Sequence, residues 1–243
     1  MKLTVIGFWG AYPEAGGATS SYLLEKEGFS LLIDCGSGAL SRLQAFKPVK
    51  DLDAVLLSHY HQDHIADIGV LQYAWLVQNA IHGTKDVLPI YGHQDDPEGF
   101  DKLNHDYTKA IAYNPKKALE VGPFTITFIP TKHPVPCYAM RITDGEKVIV
   151  YTADSSYKQE FIDFVQSADL LITDCNFYED QDGSKAGHMT SKEGAEIANQ
   201  ASVNALLLSH LPHHGTHDQL SSEARKYFSG SIELAYEGYT FKT

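Results

Sequence analysis

The stretch Ser58-His59-Tyr60-His61-Gln62-Asp63-His64 packs three imidazoles and a carboxylate into six residues. Imidazole nitrogen and carboxylate oxygen are the donors that suit zinc and similar divalent ions. The stretch follows Ala54-Val55-Leu56-Leu57, an apolar run that reads as a buried strand. Side chains alternate along an extended chain, so His59 and His61 point the same way. Asp63 and His64 fall where the chain turns into a helix, and face a second position. One short loop thereby serves two metal ions.

A two-metal site needs more donors than this loop supplies. Three further positions repeat its pattern of apolar strand followed by ligand. His133 comes after Phe128-Ile129-Pro130, Asp154 after the apolar run 148–153, and His210 after Leu206-Leu207-Leu208-Ser209. Alone, each is an ordinary strand-end residue; together they complete a set of seven imidazole and carboxylate donors.

The elements that must position them read as follows. Strands are expected over 3–8, 21–24 and 29–34, the last two a hairpin across a Glu25-Lys26-Glu27-Gly28 turn. A helix over 38–46 precedes the strand of the first motif, and an apolar helix over 65–78 follows it. In the second half, residues 124–129 alternate at period two. Strands over 137–143 and 147–151 flank Asp144-Gly145, a hairpin signal. A helix over 159–166, a buried strand over 170–172 and a capping box at Thr190-Ser191-Lys192-Glu193 come next. The helix it opens runs to residue 200, and a buried strand over 205–208, a helix over 220–228 and a strand over 232–236 complete the pattern. Hairpins mixed with β-α alternation in both halves imply two mixed sheets packed face to face with helices outside. Residues 94–117 are polar and rich in Asp, His and Tyr; they read as an irregular or helical insertion placed as a lid. His82, His93 and His105 are expected to be solvated there. His213, His214 and His217 are expected at the surface near the site mouth.

Composition sets bounds. The 243 residues suit one large domain, taken here as 1–243. With 19 Lys and Arg against 31 Asp and Glu, the formal net charge is -12. That disfavours general nucleic-acid binding, which relies on cationic side chains. Cys35, Cys137 and Cys175 are few and far apart, which fits reduced core residues of a cytoplasmic protein. The opening strand pattern is too short and interrupted for a signal peptide, and no apolar run is long enough to span a bilayer.

Five pieces in this order resemble the metallo-β-lactamase superfamily, and within it the ribonuclease Z (ElaC-type) branch. They are Gly7-Phe8-Trp9-Gly10 with the Gly16-Gly17 loop, the Ser58–His64 motif, His133-Pro134-Val135-Pro136-Cys137-Tyr138, Thr152-Ala153-Asp154-Ser155, and Ser209-His210. The resemblance implies a four-layer αββα sandwich. It implies that His59, His61 and His133 hold one metal, that Asp63, His64 and His210 hold the other, and that Asp154 bridges them. It also makes Gly187-His188-Met189-Thr190-Ser191 similar to the H-x-T motif that supplies a phosphate-contacting histidine, with Asp174 as the acid behind His188. One departure stands out: a single hairpin separates His133 from Asp154, so the long tRNA-gripping arm of ribonuclease Z is missing.

The expected function is therefore a dinuclear hydrolase, with two divalent ions, zinc or manganese, and a bridging hydroxide. Asp63 and Asp154 fix the ions and orient the hydroxide; His188 serves the phosphoryl oxygen or the leaving alkoxide. The substrate class expected is a phosphodiester, either a small or cyclic one or an RNA end. A lactonase or thioesterase of the same fold is the alternative. A homodimer with no membrane association completes the expectation.

Overall fold

The computed structural model describes residues 1–242, which fall into two compact units. The first comprises residues 1–114 and the chain from Glu237; the second is Pro115–Tyr236.

The first unit holds β1 (Lys2–Gly7), β2 (Ser21–Lys26), β3 (Phe29–Ile33), α1 (Ala39–Leu43), β4 (Ala54–Leu56), α2 (Gln62–Ile65), α3 (Ile68–His82), β5 (Leu88–Gly92), α4 (Pro97–Asp101) and β6 (Thr108–Ala112). The second holds β7 (Leu119–Val121), β8 (Phe124–Pro130), β9 (Tyr138–Thr143), β10 (Val148–Tyr151), α5 (Glu160–Phe164), β11 (Leu170–Asp174), α6 (Ser191–Gln200), β12 (Ala205–Ser209), α7 (His217–Ala224) and β13 (Ser231–Leu234). The last strand, β14 (Thr240–Lys242), returns to the first unit.

Each unit is built around one seven-stranded mixed sheet, ordered β14-β1-β2-β3-β4-β5-β6 and β13-β12-β11-β10-β9-β8-β7. Both sheets change character partway across. The strands β14, β1, β2 and β3 pair antiparallel, whereas β3 to β6 pair parallel. Likewise β7 to β10 pair antiparallel and β10 to β13 parallel. A parallel pair needs a crossover between its strands, and helices supply it: α1, α2 with α3, and α4 in the first unit; α5, α6 and α7 in the second. The central parallel strands are correspondingly apolar, as Val55-Leu56 and Leu206-Leu207-Leu208 show, all buried.

Three expectations require correction. The stretch 94–117 is not a lid: it contributes α4 and the edge strand β6, paired to β5 from Leu88↔Thr108 to Gly92↔Ala112. His93 is not solvated but fully buried. Its ring lies 4.6 Å from that of Tyr60, whose hydroxyl donates to the His93 carbonyl at 2.6 Å. Tyr113 donates to the Leu57 carbonyl at 3.0 Å. This segment therefore props the first histidine motif from beneath. The helix expected over 65–78 is α3, which starts at Ile68 and runs on to His82, separated at Asp67 from the short helix α2 of the histidine motif. The Asp67 carboxylate accepts the Leu40 N–H, and its own N–H bonds the Cys35 carbonyl.

Candidate metal centre

The residues singled out for chemistry gather at the carboxyl ends of strands: Asp174 is the last residue of β11, Asp63 and His64 lie in the short helix α2 that follows β4, and the others sit in loops. In the first unit β3 and β4 run parallel, so Asp34, after β3, and the histidine motif, after β4, emerge at one sheet edge. In the second unit β10, β11 and β12 are mutually parallel, and β8 is two antiparallel steps from β10. His133, Asp154, Asp174 and His210 therefore also share an edge. The carboxyl edge of parallel strands is where α/β sheets place ligand sites. The backbone there is unusual. Asp34, Ala153 and His210 have φ of 53°, 51° and 55°. A left-handed conformation at a non-glycine residue costs about 1–3 kcal/mol and concentrates at functional sites.

Within the first unit, Asp34 organises the motif. Its carboxylate is fully buried. It accepts the Ser58 N–H (2.8 Å), the Ser58 hydroxyl (2.8 Å) and Nδ1 of His64 (2.8 Å). Because the Ser58 hydroxyl donates to Asp34, its oxygen accepts Nδ1–H of His59 at 3.0 Å. Both imidazoles are thus fixed in the tautomer that places the ligand lone pair on Nε2. The His59 ring lies 4.9 Å from His61 and 4.1 Å from His64. Asp63 approaches His64 Nε2 at 3.7 Å and is held by the Ala11 N–H at 2.9 Å. Gly36 allows this packing, since a Cβ there would fall 2.0 Å from the Asp63 carbonyl oxygen.

Within the second unit, Asp154 presents one oxygen to each of two imidazoles: Oδ2 lies 3.9 Å from His133 Nε2, and Oδ1 lies 3.3 Å from His210 Nδ1. His133 donates Nδ1–H to the Gly187 carbonyl at 3.0 Å, which again leaves Nε2 as the ligand atom. Asn176 donates to the His210 carbonyl at 2.9 Å and secures that residue's left-handed backbone. Asp174, on β11, is buried and accepts Nδ1–H of His188 at 2.7 Å and the Ser155 N–H at 3.2 Å. It therefore aims His188 and steadies the loop that carries Asp154. The His188 ring stacks on His210 at 5.0 Å and stands edge-on to His133 at 5.3 Å, with 16 % of its side chain exposed.

The donor chemistry fits divalent ions. The set is imidazole and carboxylate, as borderline and hard cations require. His59, His64 and His133 carry the backing acceptors that orient metal-bound imidazoles. His59, His61, Asp63 and His64 in the first unit, and His133, Asp154 and His210 in the second, are residues able to hold metal ions. Sequence reasoning missed Asp34. It follows the apolar strand Ser30-Leu31-Leu32-Ile33 in the same strand-then-acid pattern that singled out Asp154. His214 is exposed, His213 and His217 are partly exposed, and His217 Nε2 bonds the Pro212 carbonyl at 2.7 Å. Among the described residues no helix is long and apolar enough to cross a membrane.

A family model described as a β-lactamase superfamily domain matches residues 30–211. The chain belongs to the metallo-β-lactamase superfamily. It is 55 % identical, over the full length of both chains, to the probable metallo-hydrolase YhfI of Bacillus subtilis (strain 168). The crystal structure of that metallo-β-lactamase fold protein superposes with a TM-score of 0.98 over 99 % of this chain and 98 % of the other. A ribonuclease Z of Methanopyrus kandleri is 27 % identical over 94 % of this chain and 93 % of its own. A diphosphatase of the PhnP family shares the fold at 18 % identity, with a TM-score of 0.78 over 100 % and 97 % of the two chains.

Proposed function

We propose that this protein is a metal-dependent phosphodiesterase. His59, His61 and His133 would hold one divalent ion, Asp63, His64 and His210 a second, and Asp154 would serve both; zinc is the metal the donor set favours. The probable metallo-hydrolase named among its relatives supports hydrolysis, and the ribonuclease Z and PhnP-family diphosphatase support phosphoryl chemistry.

One observation carries the reading. His188, backed by buried Asp174, stands beside His133 and His210 without being needed as a ligand itself. A carboxylate on Nδ1 fixes the tautomer and leaves Nε2–H as a proton donor. Ions bound at such a centre lower the pKa of water toward neutrality and draw charge from a phosphoryl oxygen. The remaining work falls to the chain. As the water oxygen bonds to phosphorus and the P–O bond to the leaving group breaks, His188 Nε2 delivers its proton to the departing oxygen. Asp63, held by the Ala11 N–H, orients the attacking water.

Between His133 and Asp154 the chain forms only the β9-β10 hairpin, so there is no arm to grip a tRNA. A small or cyclic phosphodiester is accordingly favoured over a tRNA precursor. The test is a panel of bis-p-nitrophenyl phosphate, cyclic nucleotides, thioesters and lactones, run on zinc- and manganese-loaded protein and on His188→Ala. Phosphodiester turnover that falls in the variant, with metal retained, is expected. Turnover of thioesters or lactones alone, indifferent to His188, would replace this reading with that of a lactonase or thioesterase.

A further inference from the structure

The second unit carries a cavity of about 320 Å³ lined by Lys132, His133, Pro134, Ser184, Lys185 and Gly187. It begins at a proposed metal ligand, yet two of its six lining residues are lysines, in a chain with only 19 cationic residues and a net charge of -12. Both lysine side chains are exposed, while the backbone of Lys132 is fixed. The Lys132 N–H donates to the Ser155 hydroxyl at 3.0 Å, and its carbonyl accepts the Ser156 N–H and hydroxyl, each at 3.0 Å. Next to Lys185, Ser184 is anchored through its N–H to Asp182 at 2.9 Å. The Asp182 carboxyl lies below the usual carboxylate range, held there by hydrogen bonds from Ser184 and by the charges of Lys185 and Lys132. That single acid offsets one of the two lysine charges, which leaves one positive charge in excess. The volume is roughly ten times a water's share of about 30 Å³, enough for a phosphoryl group and part of a sugar.

We infer that this pocket is a subsite for a second anionic group of the substrate: the preferred substrates are phosphodiesters carrying a further phosphoryl group, as in nucleoside bisphosphate esters and short oligonucleotides. The inference rests on the phosphodiesterase reading and narrows its substrate class. Lysine suits the task, since its ammonium meets phosphate as a mobile point charge. At a solvent-open site such a contact contributes about 1 kcal/mol or less, or up to about fivefold in affinity per lysine.

Two arms test it on metal-loaded protein. The kinetic arm compares thymidine 5′-(p-nitrophenyl phosphate) with the same ester bearing a 3′-phosphate. A KM several-fold lower for the bisphosphate ester is expected. That advantage should vanish in the double variant Lys132→Gln, Lys185→Gln, while turnover of bis-p-nitrophenyl phosphate stays at the wild-type level. The binding arm, by calorimetry, compares thymidine 3′,5′-bisphosphate with thymidine 5′-monophosphate. Tighter binding of the bisphosphate by wild type, lost in the double variant, supports the subsite even if no ester is hydrolysed, in which case only the phosphodiesterase reading fails. Equal binding of the two nucleotides, or a preference that survives the double substitution, overturns the subsite.

Discussion

Asp34 and Gly187 show how individual residues set the donors of this centre. Asp34 touches no candidate metal position itself; it orients His64 directly and His59 through Ser58. Losing a group that backs a metal-bound histidine typically costs 10–100-fold in metal affinity. Asp34→Ala should therefore weaken zinc binding by about that factor, measured by competition with a chromophoric chelator; unchanged affinity would remove Asp34 from the account. Gly187 has φ +81°, and a Cβ there would meet His133 Nδ1 at 2.7 Å and Pro134 Cδ at 2.6 Å. Gly187→Ala should lower stability by about 1–3 kcal/mol, as left-handed strain predicts, and weaken metal binding with it. Chemical denaturation and metal titration read the two effects separately. The histidines at 59, 61 and 64 were legible because they crowd one loop. Asp34 was not, because its partners lie 24 to 30 residues away and only β3-β4 pairing brings them together.

At the scale of elements, α6 is the clearest local reading. Its capping box forms as expected, with the Thr190 side chain accepting the Glu193 N–H and Glu193 accepting the Thr190 N–H. Thr190→Ala should cost about 1 kcal/mol, seen as a lower denaturation midpoint with His188 still in place two residues upstream. Glu223 on α7 ties α6 to its neighbours. It is nearly buried and accepts from the Ser191 hydroxyl (2.5 Å), the Glu179 N–H (3.0 Å) and the Gln219 amide (2.7 Å). Burial alone would push its carboxyl up, but the hydrogen bonds from Ser191, Gln219 and Glu179 and the charge of Lys226 outweigh it and hold the carboxyl below its ordinary 4.5. A depressed carboxyl contributes stability above its unfolded pKa, and that contribution is lost as pH falls through the folded value. Wild type should therefore lose more stability than Glu223→Gln on acidification below about pH 4.5, as paired denaturation curves would show. The elements that escaped notice have physical reasons. β5 contains Pro89, a residue that argues against an interior strand. β6, with exposed Lys109 and Ala112, pairs on one side only and lacks the apolar signature of a buried strand. The split between α2 and α3 depends on bonds from Asp67 to Cys35 and Leu40, which no local pattern encodes.

Over the whole molecule, the same construction occurs twice: an antiparallel half-sheet continued by a parallel one, with the chemistry at the parallel carboxyl edge. Hairpin turns and apolar runs made that repetition readable from the chain, whereas strand order was not, since β14 joins β1 from the far end of the sequence. All three cysteines are buried and unbridged, and burial, with Asp67 and Asp34 beside Cys35 and Asp174 and Glu223 beside Cys175, pushes those two thiols well above their usual range. Native protein at pH 8 should react only slowly with a disulfide reagent and release three thiols on unfolding; a fast-reacting thiol in the native state would contradict the packing. The central claim is metal-dependent phosphodiester hydrolysis served by His188, and the most direct measurement is kcat for bis-p-nitrophenyl phosphate on zinc-loaded wild type and His188→Ala, with metal content determined on the same samples. The account predicts a fall of about 10²–10⁴-fold, the range for loss of a positioned general acid, at equal metal content. Equal rates at equal metal content, or no phosphodiester turnover by the loaded wild type, would contradict it.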